Sequence, residues 1–416
     1  MLASSLLYQA YEFQRHLAKP VRLWANALEQ VYSSPYNPLT DTWFGKSMAA
    51  GAEIMARLTQ NYGKPAFGLK TVEIGNEIVA VNEEILLRKP FCQLLRFHRD
   101  TAQPGNGHRD PKVLVVAPMS GHFATLLRGT VEALLPEHDI YITDWTDARE
   151  VSLAQGNFDL DDYVDYIIEF CRYLGPDVHV IAVCQPSVPV MAAASLMAAD
   201  KDPRQPRSIT LMGGPIDTRV SPTTPNDLAM RNSMMWFRDN VITTVPLNYP
   251  GAMRRVYPGF LQLTSFISMN LDRHINAHMR QFEHLVKGDD DSADAHRTFY
   301  DEYLAVMDLT AEFYLQTIEV VFKEHQLPRG VWVSRGRKID PSAIETALMT
   351  VEGELDDISG IGQTKAAHAL TPNIPGARHV HWEQPRVGHY GIFNGRKWRE
   401  QIMPRVRDFI RDNDGR

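Results

Sequence analysis

Apolar positions follow three different rhythms along this chain, and each rhythm predicts a different kind of element. Up to about residue 62, positions such as Leu17, Val21, Trp24 and Leu28 recur at helical spacing, and SSPYNP (Ser33–Pro38) interrupts the run. Between Val72 and Phe97 the spacing falls to two residues in EIVAV and CQLLRF, which predicts two strands joined by a turn. KVLVVAP (Lys112–Pro118) is then apolar without a break, as expected of a strand covered on both faces of a parallel sheet. HDIYITDW (His138–Trp145), VHVIAV (Val178–Val183) and SITLMGG (Ser208–Gly214) read as further strands. The stretches between them read as helices. DLDDYVDYIIEFCRYLG (Asp159–Gly175) has acidic residues in its first turn and glycine at its end, and PVMAAASLMAAD (Pro189–Asp200) is rich in alanine. Strand–helix–strand alternation predicts right-handed crossovers, and so an α/β fold on a mostly parallel sheet.

The alternation stops at Ser221. Until about Arg329 the chain is rich in Met, Phe, Tyr and long helical stretches; strand and loop then return in ALMTVEGELDDISG (Ala347–Gly360) and HVHWEQPRVGHYG (His379–Gly391). The expected organisation is a helical N-terminal extension (1–70), a sheet core in two pieces (71–220 and 330–416), and a helical cap or lid insertion (221–329). Charge and composition narrow the chemistry. A net charge of −7 without a basic stripe argues against nucleic acid, and no run of apolar residues is long enough for a membrane span. The first twenty residues lack the uninterrupted apolar core of a secretory signal. Three cysteines without zinc-type spacing predict reduced thiols and a cytoplasmic protein. His274 and His278 lie four apart but have no third ligand, so no metal is expected. MGGP (Met212–Pro215) lacks the lysine of a phosphate loop, and Arg335–Lys338 reads as a basic surface spot.

Cys184 stands between a buried strand and an alanine-rich helix, in Ala182-Val183-Cys184-Gln185-Pro186. A reactive residue on a sharp strand-to-helix turn usually has glycines on both sides; here Ala and Pro replace them. Alanine is small, and proline at the first turn of a helix lacks only a spare donor. A lone cysteine after a strand is more often a small core residue, so the assignment depends on partners. They follow in the order nucleophile, acid, histidine, each in a loop after a later strand: Asp356, favoured over Asp357 by its spacing from Gly353, and His389 between two glycines. His389 would take the thiol proton, with Asp356 holding the imidazole. Backbone N–H groups of Gln185 and of Met119 or Ser120 would receive an oxyanion; Pro118 has none to give. In the insertion, Trp236 and Phe237 are candidates for contact with an apolar substrate.

The blocks LLYQAYEFQR, YITDWTDAREVSLAQGNFDLDDYVDYIIEFCRYLG, VCQPSVPVMAA, LMGGPIDTR, TVEGELDDISG and VGHYGIFNGRKWR span nearly the whole chain. In them the sequence resembles the intracellular poly(3-hydroxybutyrate) depolymerases, relatives of α/β-hydrolases with a cysteine nucleophile. The resemblance implies an enzyme at the surface of polymer storage granules in the cytoplasm, with Cys184, Asp356 and His389 as its triad and no metal or organic cofactor. It would release 3-hydroxybutyrate or its oligomers; some members pass the acyl group to coenzyme A instead of water. Self-association into a homo-oligomer stays open. Two other readings remain: a polyhydroxyalkanoate synthase, which runs related chemistry towards ester formation, and a non-catalytic granule-binding protein. Synthases usually keep glycines around the cysteine and are longer.

Overall fold

The computed structural model describes residues 2–100 and 110–415; Met1 of the expected extension, stretch 101–109 of the expected core and Arg416 lie outside the described residues. Its strands, in chain order, begin with β1 (Thr71–Ile74), β2 (Glu77–Arg88), β3 (Cys92–Arg99), β4 (Lys112–Val116), β5 (Asp139–Trp145), β6 (Val178–Val183) and β7 (Ser208–Met212). Three short ones follow, β8 (Thr243–Thr244), β9 (Arg255–Tyr257) and β10 (Leu309–Thr310), then a small hairpin of β11 (Val333–Ser334) and β12 (Arg337–Lys338). The last two are β13 (Ala347–Gly353) and β14 (His379–Gln384).

Nine of these form one sheet in the order β1-β2-β3-β5-β4-β6-β7-β13-β14. From β5 to β14 all neighbours are parallel, while β1, β2 and β3 pair antiparallel. This is the α/β-hydrolase arrangement. The central strands read as continuous apolar runs because both faces are covered: every residue of β6, β7 and β13 is buried. The helix Leu160–Leu174 begins on a reciprocal cap between Asp159 and Asp162, and Gly175 follows its last turn.

The expectation of two strands between Val72 and Phe97 needs correction, because that stretch holds three. Gly75, with φ of 62°, and Asn76 turn the chain between β1 and β2 with Ile74 opposite Glu77. A glycine in the left-handed region followed by asparagine is a tight hairpin signal, and it adds β1 ahead of the two strands that carry EIVAV and CQLLRF.

The N-terminal stretch forms helices Leu2–Tyr32 and Trp43–Leu58, separated where SSPYNP interrupts the pattern; the Thr42 side chain caps the second by accepting from the Gly45 N–H at 3.1 Å. Between β7 and β13 lie several further helices, among them Met234–Asn240, Gly259–Met269, Leu271–Lys287 and Asp290–Tyr303, with β8, β9 and β10 as a small separate sheet. Backbone bonds fix this region over the carboxyl ends of β4 and β5. The Met307 N–H donates to Gly121 O at 2.8 Å, and the Ala148 N–H to Asp308 O at 3.0 Å. The buried Asp308 carboxylate joins three parts of the chain: it accepts from the Gly259 N–H at 2.9 Å and from the Tyr8 hydroxyl of the first helix at 2.6 Å. Burial, and then the charge of Asp308, push the neighbouring Asp147 carboxyl up to about 8.

Tyr8→Phe keeps the ring and removes one donor from a buried carboxylate. It should cost roughly 1–3 kcal/mol in urea unfolding. An unchanged midpoint would mean that the first helix is held by apolar contact alone.

Candidate active site

Strand β6 runs buried to Val183, and the next residue, Cys184, has φ of 67°, a region that residues with side chains rarely occupy. Its N–H donates to Met212 O at 2.7 Å and its carbonyl accepts from the Ser187 N–H at 3.1 Å. The chain thus turns from strand to the helix Ser187–Ala199 within three residues. Pro186 stands just before that helix with φ of −58°, already helical. The turn leaves the Cys184 thiol only partly buried, whereas Cys92 and Cys171 are buried completely. Burial pushes the Cys171 thiol up to about 12 and that of Cys92 well above its ordinary value, so neither is a ready nucleophile.

Two further strand ends bring carboxylate and imidazole to the same place. Beyond β13, Asp356 Oδ1 accepts from the backbone N–H groups of Ile358 and Ser359, both at 2.9 Å, and Oδ2 lies 2.8 Å from His389 Nδ1. Asp357 points elsewhere; its Oδ2 accepts from Asn270 Nδ2 at 2.8 Å. The loops after β13 and β14 are tied together by bonds from the Leu355 N–H to Val387 O (2.9 Å) and the Glu354 N–H to Gln384 O (3.0 Å). Only glycine fits at 353, since a Cβ there would lie 2.6 Å from Val387 O. Burial alone would push the His389 imidazole down. The Asp356 carboxylate and the Cys184 sulfur, each through charge and hydrogen bonding, instead hold it well above its ordinary value. Such a histidine can keep a proton taken from a thiol.

Cys184 and His389 line a cavity of about 400 Å³ together with Met119, Ser120, Gln185 and Phe237. Its remaining lining is mostly apolar and comes largely from the region between β7 and β13. Among the described residues, the backbone N–H groups of Gln185, Met119 and Ser120 have no backbone acceptor. Phe237 is 1% exposed; Trp236 is 37% exposed, packs edge-on against Phe237 at 5.1 Å, and is not part of the cavity lining.

Sequence reasoning passed over two neighbours. His122, in the loop after β4, lines the cavity, stacks on Phe266 at 5.6 Å and places Nε2 3.1 Å from Tyr303 O. Burial pushes its imidazole down to about 4, so it is neutral. A histidine in SGH just beyond a buried strand was the available signal. Gly213, with φ of 59°, was read as the end of a strand and within MGGP, where no phosphate loop was found; a Cβ on it would lie 2.6 Å from Ile392 Cδ1 and 3.2 Å from His389 Cε1. Among the described residues no group of three or more His, Cys, Asp or Glu side chains is placed to hold a metal ion, and no helix is long and apolar enough to cross a membrane.

Residues 213–414 match the family described as PHB de-polymerase C-terminus. A curated relative, the poly(3-hydroxyalkanoate) polymerase subunit PhaC of Haloferax mediterranei, is 22% identical over 296 residues, covering 68% of this chain. The chain spans about half of that relative's length, 54%. Similar solved structures include an esterase of Thermogutta terrifontis (13% identity, TM-score 0.41, 83% of this chain and 97% of that one). Another is a monoacylglycerol lipase of Paleococcus ferrophilus (13% identity, TM-score 0.42, 73% and 96%).

Gly213→Ala tests how closely the fold positions the imidazole. A methyl group there must push His389 or Ile392 aside, and any turnover that depends on His389 should fall roughly a hundredfold, as expected for a reacting group displaced by about 1 Å. Wild-type turnover in a folded variant would show that the contact is not needed.

Proposed function

We propose that this chain, a member of the PHB-related α/β-hydrolase family, cleaves the ester bonds of stored poly(3-hydroxybutyrate) at the surface of cytoplasmic granules. The observation that carries the reading is the meeting of Cys184, His389 and Asp356 at an apolar cavity of about 400 Å³. An ester chain is uncharged and largely apolar, which suits that lining.

In the proposed reaction His389 takes the Cys184 proton, and the thiolate attacks an ester carbonyl carbon. The N–H groups of Gln185 and of Met119 or Ser120 receive the oxyanion. As the tetrahedral intermediate collapses, the carbon–oxygen bond breaks and His389 gives its proton to the leaving alcohol oxygen, leaving a thioester on Cys184. Water, losing a proton to His389, then attacks the thioester. The acid leaves, and the proton returns to the thiol. Asp356 holds the imidazole and its charge throughout. Residues 221–329 act as a cap, with Phe237 on its cavity side and Trp236 on its outer side as the contact for irregular polymer. No metal or organic cofactor takes part.

The second reading is polymer synthesis from a 3-hydroxyacyl thioester of coenzyme A, favoured by the similarity to the polymerase subunit. The two separate cleanly in one experiment. Pure protein is incubated with amorphous granules and, separately, with 3-hydroxybutyryl-coenzyme A. Soluble acid from the first supports depolymerisation, and polymer from the second supports synthesis. Binding without turnover in both would leave a scaffold.

Cys184→Ala should lower turnover by about four orders of magnitude or more, while Cys92→Ser and Cys171→Ser keep the wild-type mechanism. Mass spectrometry of the trapped acyl-enzyme should place the label on Cys184, and a label on Cys171 would refute the assignment. Asp356→Asn removes the carboxylate that raises the His389 proton affinity. The alkaline limb of kcat/KM should therefore move to lower pH; a limb that stays in place would show that another group sets it.

A further inference from the structure

His389 and Tyr390 line not one cavity but two. The second, of about 660 Å³, shares Phe266, Met269 and Ile358 with the first as well. Its chemistry is different. Among the described residues, Arg273, Arg280, Arg386, Arg396 and Lys397 line it against a single carboxylate, Asp357. Five cations at one cavity stand out in a chain whose net charge is −7.

The counter-charges do not account for them. Asp357 already accepts from Asn270 at 2.8 Å, Arg396 approaches Glu400 at 3.9 Å, and Lys397 donates to the carbonyls of Pro385 and Arg386 at 2.9 and 3.0 Å. Among the described residues, Arg280 reaches only the Asn276 carbonyl, at 3.4 Å. Among the described residues, no carboxylate pairs with the side chains of Arg273, Arg280 or Arg386. Burial pushes His274 and His296 down, so the surplus belongs to the arginines.

A neutral polyester gives such a cavity nothing to hold. The end of a chain does, because its last unit ends in a carboxylate. When an ester near that end is cleaved, the fragment that leaves as alcohol is the one that carries the carboxylate. We propose that the second cavity is an anion subsite for the carboxylate end of an oligo(3-hydroxyalkanoate), which sets the last ester bonds of the chain across Cys184. This rests on the ester-cleaving reading of the Cys184 site. The guanidinium groups of Arg273 and Arg386 hold the carboxylate, and Arg280 adds to the field.

The test compares a trimer of 3-hydroxybutyrate as the free acid with the same trimer ending in a neutral N-methylamide. The wild type should cleave the acid with kcat/KM about tenfold higher, the scale of one charge-assisted contact. The preference should shrink as KCl is raised, since exposed cations are screened. R273Q/R386Q should abolish the preference while hydrolysing p-nitrophenyl butyrate within about twofold of the wild type. Equal turnover of both trimers by the wild type overturns the subsite alone. An equal loss on both trimers in R273Q/R386Q overturns it too, because the arginines would then act through the fold. Turnover of neither trimer by the wild type overturns the ester-cleaving reading and the subsite with it.

Discussion

One strained residue sets the terms for everything around it. Cys184 holds φ of 67°, a conformation that costs a side-chain-bearing residue of order 1–3 kcal/mol and survives only where the surroundings leave no alternative. Here β6 lies between β4 and β7 in parallel register, the Cys184 N–H is committed to Met212 O, and the helix that follows is buried from Ser187 to Met197. Neither strand nor helix can shift to relax the turn without breaking a ladder bond or opening the core. The two prolines stiffen the outgoing side. Pro186 is already at helical φ, and Pro189 falls in the first turn, where its missing N–H is spare.

The partners of Cys184 come from the ends of two later strands, so their alignment depends on how the loops after β13 and β14 are joined. Three backbone N–H groups also close the segment after Asp356, all donating to buried Glu352: Gly362 at 2.9 Å, Thr364 at 2.8 Å and Lys365 at 2.9 Å. A buried carboxylate with three such donors is satisfied without any cation, and it holds the loop while Asp356 is left free for His389. The same economy of partners appears at Asp308, which anchors the region between β7 and β13 to the first helix and to the loop after β5. Both anchors keep that region over the carboxyl edge of the sheet, where it divides the space around His389 into an apolar side and a cationic side.

What could be read from the sequence follows from how far each signal extends along the chain. Strands β4, β6 and β7 were legible because burial on both faces leaves an unbroken apolar run. The helix Leu160–Leu174 was legible from its cap and its terminal glycine. The chain order of Cys184, Asp356 and His389 was legible because each follows a strand. The β1–β2 hairpin was missed through two residues, Gly75 and Asn76, and β8, β9 and β10 through their length of two or three residues, too short for any period. Contacts across the fold leave no local trace at all. Nothing near Gly213 announces that His389 will lie against it, and the cations of the second cavity come from three separated stretches around 273–280, 386 and 396–397.

In the proposed reaction Cys184, His389 and Asp356 alone do not fix the direction. A thioester on Cys184 is equally the product of ester cleavage and the donor in ester formation, and the same groups serve both by microscopic reversibility. Direction is decided by which acceptor reaches the thioester: water gives acid, and the hydroxyl end of a polymer gives a longer chain. In an apolar cavity the two compete unequally. An ordered water needs two to four polar partners, and at this lining Ser120, Gln185, Gln262 and His389 stand among mostly apolar neighbours. A chain end that fills the cavity would displace that water and protect the thioester, whereas a short fragment that leaves admits it. On that proposal the balance between hydrolysis and elongation rests on how quickly the leaving fragment departs past His389, a property of the surrounding cavities and not of the three groups proposed to make and break the bond.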